Sequence, residues 1–155
     1  MKELLAKMEQ KGFYFPSARS DETGIVYDIK NALGYPSILN SIVDEFNTLL
    51  PKHLDGVVAT SPEGIILAAT LASKYGYELT TIKNRANGWA NRIIGAMPSR
   101  DSSLAYIDTV FNAKTNISAV QNFVEMYMNS NLDHMYVLQK EVEKETDVPV
   151  TALFY

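Results

Sequence analysis

Cysteine is absent from the chain, tryptophan occurs once, and 14 lysines and arginines face 18 aspartates and glutamates. Without cysteine there is no disulfide, no iron–sulfur cluster and no thiolate zinc site, a composition that fits a reducing compartment. The net charge of −4 argues against a general affinity for nucleic acid, because such binding rests on basic side chains that neutralise phosphates. Long apolar runs are missing as well. The longest, Gly64 to Ala72, lies between Glu63 and Lys74 and falls short of the roughly 20 residues of a membrane span. Met1-Lys2-Glu3 opens a polar-faced helix rather than a secretory leader, so a soluble, cytoplasmic protein is expected, with no membrane partner. His53 and His134 are far apart and have no second ligand at metal-site spacing, so both read as surface or structural residues and no protein-held metal is expected.

What is present is a chain of 155 residues, 46% hydrophobic, enough for one domain with a substantial core over residues 1–155. Leu4, Leu5 and Met8 share one side of a helix over residues 2–11, and Gly12 offers a left-handed stop. Phe13-Tyr14-Phe15 and Gly24 to Ile29 are strand formers joined by the polar link Ser17 to Thr23, which predicts a hairpin. From Pro36 to Leu50, apolar residues recur every three or four positions, an amphipathic helix with proline in its first turn. Gly56 to Thr60 is an apolar run without alternation, as in a buried parallel strand. A turn over Ser61 to Gly64, a helix from Ile65 to Tyr75 and a strand from Tyr77 to Ile82 follow. The polar segment Lys83 to Asn91 leads to a strand arm at Ile93 to Met97, and Leu104 to Ile107 is a second buried strand ending at Asp108. A polar loop over 109–116, a helix from Ile117 to Met128 and strands at His134 to Leu138 and Val150 to Phe154 complete the chain. Strand and helix alternate through 56–138, which predicts an α/β fold with a parallel sheet and right-handed crossovers.

Ligands of such sheets sit beyond the carboxyl ends of the strands, which selects the loops Thr60–Gly64 and Asp108–Asn116. The second has the chemistry of a sugar-phosphate site. An apolar strand delivers Asp108, a carboxylate able to accept from sugar hydroxyls. Small and polar residues follow, with Lys114 as a cation, before a helix whose free N–H groups suit phosphate. A plain strand-to-helix connection capped by Asn116 is the alternative. Lys83, Arg85 and Arg92 form the one local cationic cluster, either a loop that closes over a ligand or a solvated hairpin anchored by Trp89.

The order Leu104-Ala105-Tyr106-Ile107, Asp108-Thr109, Val110-Phe111, Asn112 to Asn116 resembles the phosphoribosyl diphosphate (PRPP) signature of type I phosphoribosyltransferases. The chain is similar to orotate phosphoribosyltransferase over about residues 12–155. The resemblance runs through Ile25 to Lys30, Tyr35-Pro36, Gly56 to Ala59, Glu63 to Ala68, Thr81 to Arg85, Ile94-Gly95 and Tyr136 to Glu141. The resemblance implies a parallel sheet of about five strands over residues 36–138, and a small hood from residues 12–35 and 139–155. It implies transfer of a phosphoribosyl group from PRPP to a nucleobase in nucleotide biosynthesis or salvage, with Mg2+ bound alongside PRPP, pyrophosphate released and a homodimer. The implied catalytic residues are Asp108, Lys83 and Arg85. PRPP would be held by Thr60, Ser61, Glu63, Gly64, Asp108, Thr109, Asn112, Ala113, Lys114, Thr115 and Asn116, with Lys140 at the base.

The departures are specific. Thr109 stands where the family carries a second acid, Lys114 where its phosphate loop has glycine, and Glu63 where some relatives have lysine. No histidine lies in the catalytic loop. These leave two further readings: a non-catalytic module of the same fold that binds a nucleotide or phosphate, or serves regulation or interaction, and a structural dimer without ligand.

Overall fold

The computed structural model describes residues 1–16, 25–82, 93–111, 131–140 and 148–154. Helix α1 (Lys2–Gln10) buries Leu4 and Met8 and stops where Gly12 turns to φ +76°, as the spacing predicts. Strands β1 (Tyr14–Pro16) and β2 (Ile25–Tyr27) pair antiparallel as a separate two-stranded ribbon. The extended run ends earlier than the sequence suggests. Asp28 accepts from the Asn31 N–H at 3.4 Å and from the Asn31 side chain at 2.8 Å, and so starts the short helix α2 (Ile29–Ala32). Helix α3 (Pro36–Asn47) carries Pro36 in its first turn and turns Ile38, Ile42, Val43 and Phe46 inward.

The remaining strands form one six-stranded sheet in the order β5-β4-β3-β6-β7-β8. Strand β3 (Gly56–Ala59) is wholly buried and pairs in parallel with β4 (Glu78–Ile82) on one side and β6 (Ser103–Phe111) on the other. Helix α4 (Pro62–Tyr75) makes the crossover from β3 to β4 and ends at Gly76, φ +83°. Strand β5 (Ile93–Gly95) is the antiparallel edge next to β4. At the other edge, β7 (Asn131–Lys140) and β8 (Val150–Phe154) continue the parallel set. Five strands are therefore parallel, β8 among them, where the resemblance implies a parallel sheet of about five over residues 36–138. The C-terminal strand β8, grouped with the hood in the sequence reading, is an edge strand of this main sheet.

The core lies on both faces of the sheet. On one face Leu4, Met8, Ile42, Phe46, Leu67 and Leu71 from the helices pack on Val57, Ala59, Ala105 and Ile107. On the other, Val58, Leu104, Tyr106, Met135 and Val137 form a second apolar cluster. This two-sided burial explains why the central strands lack alternation in sequence: neither face meets water. Chain order reverses at β3, since its next strand lies to one side and β6 to the other. At such a reversal, open α/β sheets bind ligands in the crevice outside the carboxyl ends of the two strands, here β3 and β6.

Candidate active site

The helix after β3 begins two residues beyond Thr60, at Pro62. Ser61, Pro62 and Glu63 supply a cap, a proline with no N–H to leave unpaired, and a first-turn acid, so Pro62 to Gly64 form the first turn of α4 rather than a separate turn. The Ser61 hydroxyl accepts from the Gly64 N–H at 2.9 Å and donates to Asp108 Oδ1 at 2.6 Å. One side chain thus caps the helix and ties it to the neighbouring strand.

Gly64 makes this approach possible. A methyl group there would lie 2.7 Å from Ser61 Oγ, 2.8 Å from the Ile107 carbonyl oxygen and 3.2 Å from Asp108 Oδ1. Real side chains do not tolerate the first two distances, so the α4 N-terminus seats against β6 only because position 64 has no Cβ.

Asp108 lies within β6, not at its end. The strand runs on through Thr109, Val110 and Phe111, and pairs Asp108 with Val137, Val110 with Gln139 and Phe111 with Lys140. The sequence reading, which began a loop at residue 109, is corrected for 109–111: Thr, Val and Phe are strand formers, and a partner strand is present to pair with them. Three donors converge on the Asp108 carboxylate. Ser61 and the Thr109 N–H, at 2.8 Å, both reach Oδ1, and the Tyr106 hydroxyl reaches Oδ2 at 3.2 Å. Burial nevertheless raises the Asp108 pKa above its ordinary value, with the Glu63 charge adding to the rise and the three donors opposing it.

Tyr106 was not among the residues singled out from sequence. Its hydroxyl also lies 2.6 Å from Thr60 Oγ1, so it bridges the end of β3 to the Asp108 carboxylate. Burial and the Asp108 charge raise the phenol pKa, which keeps it a neutral donor. The available signal was a hydroxyl-bearing residue inside an apolar run, two positions before the acid and hence on the same strand face.

Glu63 stands beside this network, with Lys30 of α2 at 3.2 Å. A hydrogen bond with its own backbone N–H, and then Lys30, hold its carboxyl below the ordinary value. The structure thus gathers Thr60, Ser61, Glu63, Gly64, Asp108 and Thr109 at the β3–β6 crevice. Lys140 ends β7 at the same carboxyl edge of the sheet. Lys83, Arg85, Arg92 and Asn112 to Asn116 lie outside the described residues, as does the expected helix at 117–128. The chain enters 83–92 from Ile82 and leaves it at Ile93, which are register partners across β4 and β5.

The histidines lie elsewhere. His134 sits in β7, with Nε2 2.7 Å from Thr151 Oγ1 of β8 and its ring against Tyr136, and burial lowers its pKa. That is a structural role, as its sequence setting suggests. Among the described residues there is no group of three or more His, Cys, Asp or Glu able to hold a metal ion, and no helix long and apolar enough to cross a membrane.

No protein-family model matches the chain, and no curated protein matches it in sequence. Solved structures do match. An adenine phosphoribosyltransferase from Saccharomyces cerevisiae, complexed with an imino-altritol bisphosphate and adenine, superposes with a TM-score of 0.73 at 15% identity, covering 99% of each chain. An orotate phosphoribosyltransferase from Aeropyrum pernix gives 0.74 at 16% identity, covering 97% of this chain and 92% of its own. An adenine phosphoribosyltransferase from Trypanosoma brucei, in complex with AMP, pyrophosphate and ribose-5-phosphate, gives 0.64 at 14% identity over 96% and 78%. Identities this low carry the fold alone, and from the β3–β6 crevice to the edge strands that fold is the type I phosphoribosyltransferase fold.

Proposed function

We propose that the chain transfers the phosphoribosyl group of PRPP to a nucleobase, with orotate as the first base to test. The observation that carries this reading is the 2.6 Å hydrogen bond from Ser61 to Asp108, which ties the capped N-terminus of α4 to strand β6 at the β3–β6 crevice. In the reaction a base nitrogen forms a bond to the anomeric carbon while the carbon–oxygen bond to diphosphate breaks, and pyrophosphate leaves with the electron pair. Asp108 accepts from the sugar. Residues 112–116 hold the 5′-phosphate, Thr60 to Gly64 border the diphosphate, Lys83 and Arg85 supply cations, and Lys140 meets the base.

Catalysis of this kind depends on holding the reactants in line and stabilising charge on the departing diphosphate. Glu63 is the carboxylate that would stand nearest a magnesium ion brought in with PRPP, because magnesium commonly uses one or two carboxylates beside substrate phosphates. When bound it supplies charge neutralisation to the diphosphate. A homodimer, whose partner would lend its 83–92 loop, belongs to the same proposal.

A second reading has its own support. Thr109 is 3% exposed and brings no carboxylate, and Glu63 already sits at the α4 N-terminus with Lys30 as its partner. A chain so built would keep a sugar-phosphate site without turnover. Calorimetric titration with PRPP, with and without magnesium, followed by pyrophosphate detection over a panel of bases, separates the two. Magnesium-dependent binding with pyrophosphate release on one base supports the enzyme. Binding without release on any base supports the module, and no binding at millimolar PRPP sinks both.

A further inference from the structure

The hydrogen bonds around Asp108 restrict what it has left to offer a ligand. An ionised carboxylate has about four acceptor places, two on each oxygen. On Oδ1 both are taken, by Ser61 at 2.6 Å and by the Thr109 N–H at 2.8 Å. On Oδ2 one is taken by Tyr106 at 3.2 Å. The phenol has a single proton, so in donating it to Asp108 it accepts from Thr60, and this chain of hydroxyls fixes the ring between β3 and β6. Asp108 keeps 8% of its surface, while Thr109 adds no acid beside it.

We propose that Tyr106 is a positioning residue that leaves Asp108 one open acceptor place, on Oδ2, so that the site reads a single sugar hydroxyl rather than a neighbouring pair. The proposal rests on the reading of the crevice as a sugar-phosphate site and deepens it. The pocket tolerates a pentose phosphate lacking one ring hydroxyl and rejects the isomer lacking the other.

Calorimetry on the intact protein tests this with ribose 5-phosphate, 2-deoxyribose 5-phosphate, 3-deoxyribose 5-phosphate and, separately, PRPP with magnesium. One deoxy sugar should bind within about twofold of ribose 5-phosphate and the other about tenfold or more weakly, the loss expected for a hydrogen bond to a charged group. Tyr106→Phe opens the second place on Oδ2, so both deoxy sugars should then bind more weakly than ribose 5-phosphate. A merely structural role for the phenol would lower all three affinities together. Asp108→Asn should flatten the difference between the two deoxy sugars, and it decides the matter if Tyr106→Phe does not fold. Equal weakening of both deoxy sugars in the unmodified protein, or equal binding of all three, overturns the single-hydroxyl inference and leaves the site intact. Failure to bind any of the sugars or PRPP overturns the site as well.

Discussion

Ser61 and Asp108, 47 residues apart in the chain, share a 2.6 Å hydrogen bond, and the same Ser61 oxygen accepts the Gly64 N–H at 2.9 Å. The serine completes the capping of a helix and the solvation of a buried carboxylate in one arrangement. Fold and site therefore depend on the same few atoms, and a substitution there tests both.

Ser61→Ala removes the cap and one of three donors to Asp108. A lost cap costs about 1 kcal/mol, and a lost hydrogen bond to a charged group about 1.5–3 kcal/mol. The two effects overlap, so a loss of about 2–3 kcal/mol is expected, read as a lower urea midpoint at unchanged slope. Ser61→Thr retains the hydroxyl and should recover most of it. A cost confined to a few tenths of a kcal/mol would mean that water replaces the serine at both partners.

Gly64→Ala sets two physical effects against each other. Helix propensity favours alanine by about 1 kcal/mol at an interior helical position. The Cβ, however, would stand 2.8 Å from the Ile107 carbonyl, which belongs to the sheet backbone and cannot turn away. The steric effect should win, for a net loss of about 1–3 kcal/mol by analogy with overpacked cores. Gly34→Ala is the control, because its nearest contact would be 3.4 Å from the Asn31 carbonyl oxygen and its φ is not positive. It should be neutral or mildly stabilising in the same thermal melts.

The residues of this network differ in how far sequence reveals them. Asp108 stood out as the acid that follows the unbroken apolar run Leu104 to Ile107, although the strand itself continues through Phe111. Gly56 to Ala59 was legible as a strand because both its faces are buried. Pro62 was misread: a proline after a serine suits a turn as well as the first turn of a helix, and only the packed position of α4 decides between them. Thr109 to Phe111 carried strand propensity, yet the strand there depends on β7, which lies more than 20 residues further along the chain. Tyr106 was hidden for a different reason. A tyrosine in an apolar run reads as core, and it is core, at 2% exposure; its second role appears only when Thr60 comes within reach from another strand.

Glu63 places a negative charge where the proposed diphosphate would lie. Glu63→Gln should cost less than about 1 kcal/mol in stability, since its pairing with the exposed Lys30 is a surface ion pair. Its effect on binding should be larger. Removing one like charge from a partly exposed site is worth about 1 kcal/mol, so PRPP affinity measured without magnesium should rise about fivefold. With magnesium present the gain should shrink, because the ion already offsets the repulsion. An unchanged magnesium-free affinity would put Glu63 outside the ligand's reach.

The raised pKa of Asp108 carries a signature in stability. A carboxyl that holds its proton more tightly folded than unfolded contributes fully below its unfolded pKa, ordinarily 3.8, and loses that contribution as the pH rises through the folded value. Glu3, Asp44 and Glu63 are lowered by their partners and act in the opposite sense, gaining stability as they ionise. Whole-protein profiles therefore mix both signs, and the comparison that isolates Asp108 is with Asp108→Asn. Denaturant unfolding from about pH 3.5 upward should show the unmodified protein losing stability relative to the variant, with the decline starting at the ordinary aspartate value and running upward from it. A difference that stays flat, or that grows in favour of the unmodified protein as the pH rises, would mean that Ser61, Thr109 and Tyr106 outweigh burial and hold Asp108 as a comfortable anion.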